Sequence, residues 1–174
     1  MRRLRLLLGR EEIARRVEEL ARQIEADYRG RRPLFLGVLK GAFIFLADLC
    51  RLVDLPKEID FVQLGRYGAG GTVGGQVRMI VRPRAEVRGR DILIVEDIVD
   101  QGVSLQYLWR YLERQRPASL RICALLVRSR PDQEMLPVEY QGFTLGEGWL
   151  VGYGLDLNEE YRTLPGIYML EEEP

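Results

Sequence analysis

The chain of 174 residues contains no histidine, which excludes Ser-His-Asp and Cys-His catalysis and every histidine-bearing metal site. Cysteine is nearly as scarce. Cys50 and Cys123 stand far apart in apolar surroundings and form no C-x-x-C pair, so they read as buried, reduced thiols of a cytoplasmic protein. Lysine occurs only at Lys40 and Lys57, and arginine supplies the remaining positive charge. Lys plus Arg and Asp plus Glu are each 26, so the formal net charge is zero and no overall basic field attracts nucleic acid. Long hydrophobic runs are missing as well. The opening MRRLRLLLGR begins like a secretory leader, but its longest apolar run is Leu6 to Leu8 and no small-residue cleavage site follows. No stretch approaches the roughly 20 apolar residues needed to span a bilayer. The expectation is a soluble cytoplasmic protein without nucleic-acid or membrane partners, and any metal it takes must be held by carboxylates, which favours Mg²⁺.

What is present suits one ordinary domain, with hydrophobic residues at 47% and charged residues at 30%. Ile13, Val17, Leu20, Ile24 and Tyr28 recur at spacings of three and four, as an amphipathic surface helix requires. PLFLGVL (33 to 39) reads as a buried strand followed by Lys40-Gly41 and the apolar helix AFIFLADLCRLV. EIDFVQLG (58 to 65) and GQVRMIV (75 to 81) read as strands joined by the glycine-rich RYGAGGTVGG (66 to 75). A strand over 92 to 95 precedes a helix from about Ser104 to Arg116, with Leu105, Leu108, Trp109 and Leu112 on one face, and SLRICALLV (119 to 127) is another buried strand. This alternation predicts an α/β fold with a doubly wound, mostly parallel sheet flanked by helices. After Val127 the pattern changes to short strands between turns, read as a small cap built mainly from about 128 to 174 with part of the N-terminus, all within a single domain over 1–174.

ILIVEDIVDQGVSL (92 to 105) places three carboxylates and a glycine directly after four aliphatic residues. In open α/β sheets, ligands bind beyond the carboxyl ends of strands, where a loop enters a helix. Gly102 can take the positive φ that turns successive N–H groups inward, and the helix N-terminus and the Ser104 hydroxyl add to a phosphate-binding loop. Glu96 and Asp97 share the sign of a phosphate, so they suit the hydroxyls of an attached sugar or a chelated Mg²⁺, with Asp100 as proton acceptor. Taken alone, the same acidic strand end also suits simple capping of the helix. By the same standard Lys40 could be a solvated strand-end lysine, RYGAGGTVGG a loose hairpin and Asp156 a turn residue.

The motif resembles the phosphoribosyl pyrophosphate motif of the type I phosphoribosyltransferases, and the whole chain resembles the bacterial hypoxanthine-guanine branch. VLKGAFIF (38 to 45), the RYG-containing loop, the acidic motif and WLVGYGLDLNEEYRTLP (149 to 165) stand in that family's order. The resemblance implies a type I phosphoribosyltransferase-like sheet with a hood, Mg²⁺ as cofactor, phosphoribosyl pyrophosphate and a 6-oxopurine base as partners, and a homodimer or homotetramer. It implies that Asp100 is the catalytic base at purine N7. Lys40, Gly41, Glu96, Asp97, Asp100, Gln101, Gly102, Val103, Ser104 and Arg162 then bind phosphoribosyl pyrophosphate, with the Leu39–Lys40 peptide often cis in the family. The purine falls to Arg128, Trp149, Leu150 and Asp156, the lid to Arg66 and Tyr67, and the metal to Glu96, Asp97 and Asp156. Tyr153 and Leu155 read as core.

Four positions depart from the pattern. Gln101 replaces a Thr, Val103 a polar or basic residue, Arg66 the lid Ser, and Arg128 the Lys that binds the purine 6-oxo group. Arg128 is expected to donate mainly to O6 and to pair partly with a carboxylate. The retained Glu96, Asp97 and Asp100 favour purine salvage, forming IMP or GMP. The departures leave a noncatalytic nucleotide-sensing paralogue as the alternative. A nucleotide-binding dehydrogenase is disfavoured because no G-x-G-x-x-G follows an early strand.

Overall fold

The computed structural model describes residues 3–67, 76–128 and 136–171. The chain order is β1 (Arg3–Leu8), α1 (Arg10–Asp27), β2 (Leu34–Leu39), α2 (Phe43–Leu52), β3 (Glu58–Tyr67), β4 (Gln76–Val81), β5 (Asp91–Val99), α3 (Val103–Glu113), β6 (Ser119–Arg128), β7 (Tyr140–Leu145), β8 (Trp149–Val151) and β9 (Ile167–Glu171). Six strands form the main sheet in the order β4-β3-β2-β5-β6-β7. β2, β3, β5, β6 and β7 run parallel, and β4 closes one edge antiparallel to β3. The expected doubly wound, mostly parallel sheet is therefore present, with helices on both faces.

Side-chain alternation sorts the core into two layers. On the central strands Phe35, Leu93, Val95, Cys123 and Leu125 join one cluster with residues of α1 and α2. Leu34, Leu36, Ile92, Ile94, Ile122 and Ala124 join the other, with Leu105, Leu108 and Leu112 of α3. Strands buried on both faces need apolar residues at every position, which explains their continuous hydrophobic runs. The α1 stripe of Ile13, Val17, Leu20, Ala21 and Ile24 is buried as its spacing predicts, each large side chain contributing about 1.5–3 kcal/mol relative to exposure. Gly37 lets α2 approach β2, because a Cβ there would sit 2.5 Å from Leu46 Cδ2. Cys123 is fully buried and Cys50 partly so, and burial pushes the Cys50 thiol up to about 11.

The expected cap is smaller than the sequence reading made it. Residues 140–145, assigned to it from sequence, form β7, which pairs parallel with β6 in the main sheet, from Cys123↔Tyr140 to Arg128↔Leu145. The second sheet is an antiparallel β1-β9-β8 unit. Its N-terminal contribution is the strand Arg3–Leu8, whereas α1 packs on α2 and β7. Helix α3 also starts at Val103, one residue earlier than expected, and ends at Glu113.

Candidate active site

The site is assembled where the parallel strands end. After β2, the Leu39–Lys40 peptide is cis, a point the sequence left open. It leads to Gly41, where a Cβ would stand 1.7 Å from Asp97 Oδ2, so no larger residue fits beside that carboxylate. Gly154 presses on the same place, since its own Cβ would lie 2.0 Å from the Gly41 carbonyl oxygen. Three segments distant in sequence thus meet, Gly41 and Gly154 through their backbones and Asp97 through its carboxylate.

At the end of β5, Glu96 is 8% exposed. Its Oε1 accepts the Asp97 N–H at 3.1 Å, and Asp97 Oδ1 accepts the Ile98 N–H at 2.8 Å. Among the described residues neither carboxylate has an ion pair. Burial, and then the neighbouring Asp97 charge, hold the Glu96 carboxyl well above the usual carboxylate range. Burial also raises Asp97, opposed by its hydrogen bonds and by the charge of Arg162. A buried and a half-buried acid without an ion pair suit positive charge or sugar hydroxyls, because either relieves their desolvation.

The chain then turns into α3. Gly102 occupies the helix N-cap position at φ 70° and contributes no side-chain cap. The first-turn N–H groups have no intrahelical acceptor, and Glu96, Ile98 to Leu105 line a cavity of about 100 Å³ around them. An oxyanion there meets main-chain donors and the positive end of the helix dipole. Val103 is exposed at the mouth of this loop.

Asp100 stands on the same turn, half exposed, with Oδ1 3.3 Å from Arg128 Nε. Arg128 is well buried. It donates from Nη1 to the Gly146 carbonyl and from Nη2 to the Gly148 carbonyl, each at 2.5 Å. Its guanidinium therefore ties the candidate base to the segment that ends in Trp149. The carboxylate expected to pair with it is Asp100 itself, and main-chain carbonyls that the sequence did not indicate take two of its donors. Trp149 is 60% exposed and presents a free aromatic surface, whereas its neighbour Leu150 is buried opposite Met169 in β9.

Residues 152–165 complete the site. Tyr153, Asn158, Glu159 and Tyr161 all take left-handed φ, between 49° and 73°, a concentration typical of turns shaped for a ligand. Gly152 pairs with Leu155, and Leu157 with Glu160, in two tight bridges. Arg162 donates from Nη1 to the Gly154 carbonyl at 2.8 Å, and its Nη2 is 2.9 Å from Asp156 Oδ1. Asp156 Oδ2 accepts the Glu159 N–H at 2.8 Å. Tyr153 and Leu155 are buried as expected, with the Tyr153 hydroxyl donating to Asp48 Oδ2 at 2.6 Å.

The structure thus brings Lys40, Gly41, Asp97, Asp156 and Arg162 into one corner, and Asp100, Arg128 and Trp149 into an adjoining one linked by the helix N-terminus. Arg66 and Tyr67 end β3, with backbone pairing to Val77 and Gln76. The rest of the expected lid, 68 to 75, lies outside the described residues. Sequence reading passed over Glu159, which contacts both Lys40 and Arg162. The available signal was an acidic residue three positions before an arginine in a turn. Among the described residues no three His, Cys, Asp or Glu side chains converge on one metal position. A hard cation at Glu96 and Asp97 would therefore draw most of its oxygens from substrate and water.

An acid-ended parallel strand feeding a glycine-capped helix places the chain among the α/β proteins whose strand ends suit a phosphorylated ligand. The phosphoribosyl transferase domain family model matches residues 7–158, and the chain belongs to that family. It is 39% identical to a hypoxanthine-guanine phosphoribosyltransferase of Dictyostelium discoideum, covering 97% of this chain and 96% of that one. It is 38% identical to the bifunctional protein TilS/HprT of Listeria innocua, covering 97% of this chain but spanning only 26% of that protein. A crystal structure of a hypoxanthine-guanine phosphoribosyltransferase from Bacillus anthracis, with a HEPES molecule in its active site, superposes with a TM-score of 0.88 at 35% identity, covering 94% of this chain and 96% of that one.

Proposed function

We propose that the protein is a purine-salvage hypoxanthine-guanine phosphoribosyltransferase that joins the phosphoribosyl group of phosphoribosyl pyrophosphate to hypoxanthine or guanine. The observation that carries this reading is the triad Glu96, Asp97 and Asp100 beside the open N-terminus of α3. The α3 N-terminus receives the 5′-phosphate on the main-chain N–H groups of Gln101 to Ser104. Glu96 and Asp97 hold the ribose hydroxyls, and Lys40, Gly41 and Arg162 face the pyrophosphate. Trp149 stacks on the purine, with the main chain of Leu150 and Asp156 along its N1 and 2-amino edge. Arg128 retains N–H groups beyond the two donated to Gly146 and Gly148, and one of these reaches O6.

In the reaction purine N9 bonds to ribose C1′ while the C1′–oxygen bond breaks and pyrophosphate departs with the electron pair. The proton on N7 passes to Asp100. Positive charge builds on the ribose between buried carboxylates, where electrostatic stabilisation is strong because water is excluded. Glu96 and Asp97 suit one Mg²⁺ bound together with the substrate and Asp156 a second, and these would neutralise the leaving pyrophosphate. Arg66 and Tyr67 are the residues assigned to covering the sugar. The protein acts in the cytoplasm as a homodimer or homotetramer. The exposed apolar side chains of Ile59, Phe61 and Ile80 on β3 and β4 support such an assembly, and light scattering at micromolar concentration tests it against a monomer.

The test of function is nucleotide formation from phosphoribosyl pyrophosphate and Mg²⁺ with hypoxanthine, guanine, xanthine and adenine in turn. IMP or GMP formation, abolished by chelator and restored by Mg²⁺ or Mn²⁺ but not Zn²⁺, is the expected result. A facing pair of donors rejects adenine by at least about 10-fold. Binding without turnover would instead identify a nucleotide sensor.

A further inference from the structure

Glu159 connects two cations that arrive from opposite ends of the chain. One carboxylate oxygen, Oε2, lies 3.2 Å from Lys40 Nζ, 3.1 Å from Arg162 Nη2 and 3.4 Å from Arg162 Nε. The pair is exposed, with 64% of the Glu159 side chain in solvent, and such pairs contribute little stability. Its place is more informative than its strength. Arg162 is fixed independently by the Gly154 carbonyl and by Asp156, so departure of Glu159 frees Nε and part of Nη2 without releasing the guanidinium. Among the described residues Lys40 has no other ion pair. The Glu159 main chain is meanwhile held at φ 67° by its N–H bond to Asp156, which keeps a displaced carboxylate within reach of both cations. Lys40 and Arg162 hold the Glu159 carboxyl below its usual range, so it stays charged in neutral solution.

We propose that Glu159 is a built-in counter-anion of the pyrophosphate seat, which holds Lys40 and Arg162 until phosphate oxygens displace it and reclaims them as pyrophosphate leaves. The proposal rests on the reading that Lys40 and Arg162 face pyrophosphate. An internal competitor lowers apparent affinity by the fraction of time it occupies the cations. It therefore weakens pyrophosphate binding and speeds product release. Glu159 is a tuning residue, with no bond made or broken on it.

The test is Glu159→Gln in the full chain, read by calorimetric titration with inorganic pyrophosphate and Mg²⁺ and by product inhibition. Loss of two exposed charge pairs should tighten pyrophosphate binding by about 3- to 10-fold. The KM for phosphoribosyl pyrophosphate should fall, kcat should not rise, and the melting temperature should stay within about 1 °C of the parent. In a Lys40→Gln background the same substitution should tighten binding less, because one of the two competed cations is gone. Equal or weaker pyrophosphate binding by Glu159→Gln, with the parent binding intact, would overturn the proposal. So would an effect undiminished by Lys40→Gln. Failure of the parent to bind pyrophosphate at all would remove the underlying reading along with it.

Discussion

Two acidic regions meet at one end of the sheet and are treated in opposite ways. At the end of β5, Glu96 is buried and Asp97 half-buried, neither with an ion pair among the described residues, and burial works against their charge. In the turn after β8, Asp156 and Glu159 are already neutralised by Arg162 and Lys40. The first region stores unfavourable electrostatics that an incoming ligand can relieve. The second holds its cations ready by lending them a replaceable anion. On the reading proposed above, the sugar and the leaving group of one substrate fall to environments of opposite design.

Asp100 belongs to neither extreme, and its loss should have the largest effect. Asp100→Asn keeps the shape and removes the basicity, so kcat should fall by about 10²-fold or more with phosphoribosyl pyrophosphate binding retained; steady-state nucleotide formation and equilibrium titration separate the two, and a parental kcat would remove Asp100 as the base. Trp149→Ala comes next. Base–aromatic stacking contributes about 1–3 kcal/mol, so the KM for hypoxanthine should rise by about 10-fold with little change in that for phosphoribosyl pyrophosphate.

Arg128→Lys probes the link between the two corners. A single ammonium cannot match a fork that reaches Gly146, Gly148 and the Asp100 side. Loss of one such charged hydrogen bond costs about 1.5–3 kcal/mol, expected as a lower melting temperature together with a several-fold drop in kcat/KM for hypoxanthine. Unchanged kinetics for both hypoxanthine and adenine would show that Arg128 acts on the fold alone.

The smallest effect bears most directly on the contrast between the acidic regions. Because the folded-state pKa of Glu96 is raised, the native protein holds a proton that the unfolded chain has lost once pH exceeds the ordinary carboxylate value. Its contribution to stability is therefore fully present at low pH and declines as pH climbs toward the raised value. Glu96→Gln removes that decline. The ligand-free variant should melt about 2–4 °C above the parent at pH 8, the equivalent of about 1 kcal/mol, and should match it near pH 4. It should also bind phosphoribosyl pyrophosphate more weakly. A parent whose ligand-free melting temperature rises from pH 5 to pH 8 by as much as the variant's would refute the stored-charge view of this corner.

How much of this was legible follows the distance over which each feature is decided. The β5–α3 unit was readable because a buried strand, Gly102 and a helical stripe are all local patterns. The helices followed from the period-3.6 spacing of their apolar residues, and the central strands from continuous apolar runs. Strand assignment to sheets did not, since β7 joins β6 by a parallel pairing that its short YQGFTL gives no sign of. Likewise β1 was hidden because RLRLLL begins with charges, and its pairing with β9 spans nearly the whole chain. The four separated motifs named residues that the fold gathers at the strand ends, among them Gly41, Asp97, Asp100 and Arg162. Glu159 was not foreseen, because its role depends on left-handed turns at non-glycine residues and on a lysine 119 positions away. The same is true of the Gly146 and Gly148 carbonyls, since backbone acceptors leave no mark in a side-chain pattern.

The near-contact of Gly41 and Gly154 also bears on engineering and descent. A Cβ at position 154 would strike the Gly41 carbonyl, and one at 41 would strike Asp97, so these two glycines form a mechanical key between the sheet and the segment that follows β8. A chimera that grafts the 149–171 segment of a relative with another base preference onto this sheet can dock only if glycine is kept on both sides of the joint. On the proposed reading base specificity could then be exchanged as a cassette, while substitution at either glycine would push the 152–165 segment away from the end of β2.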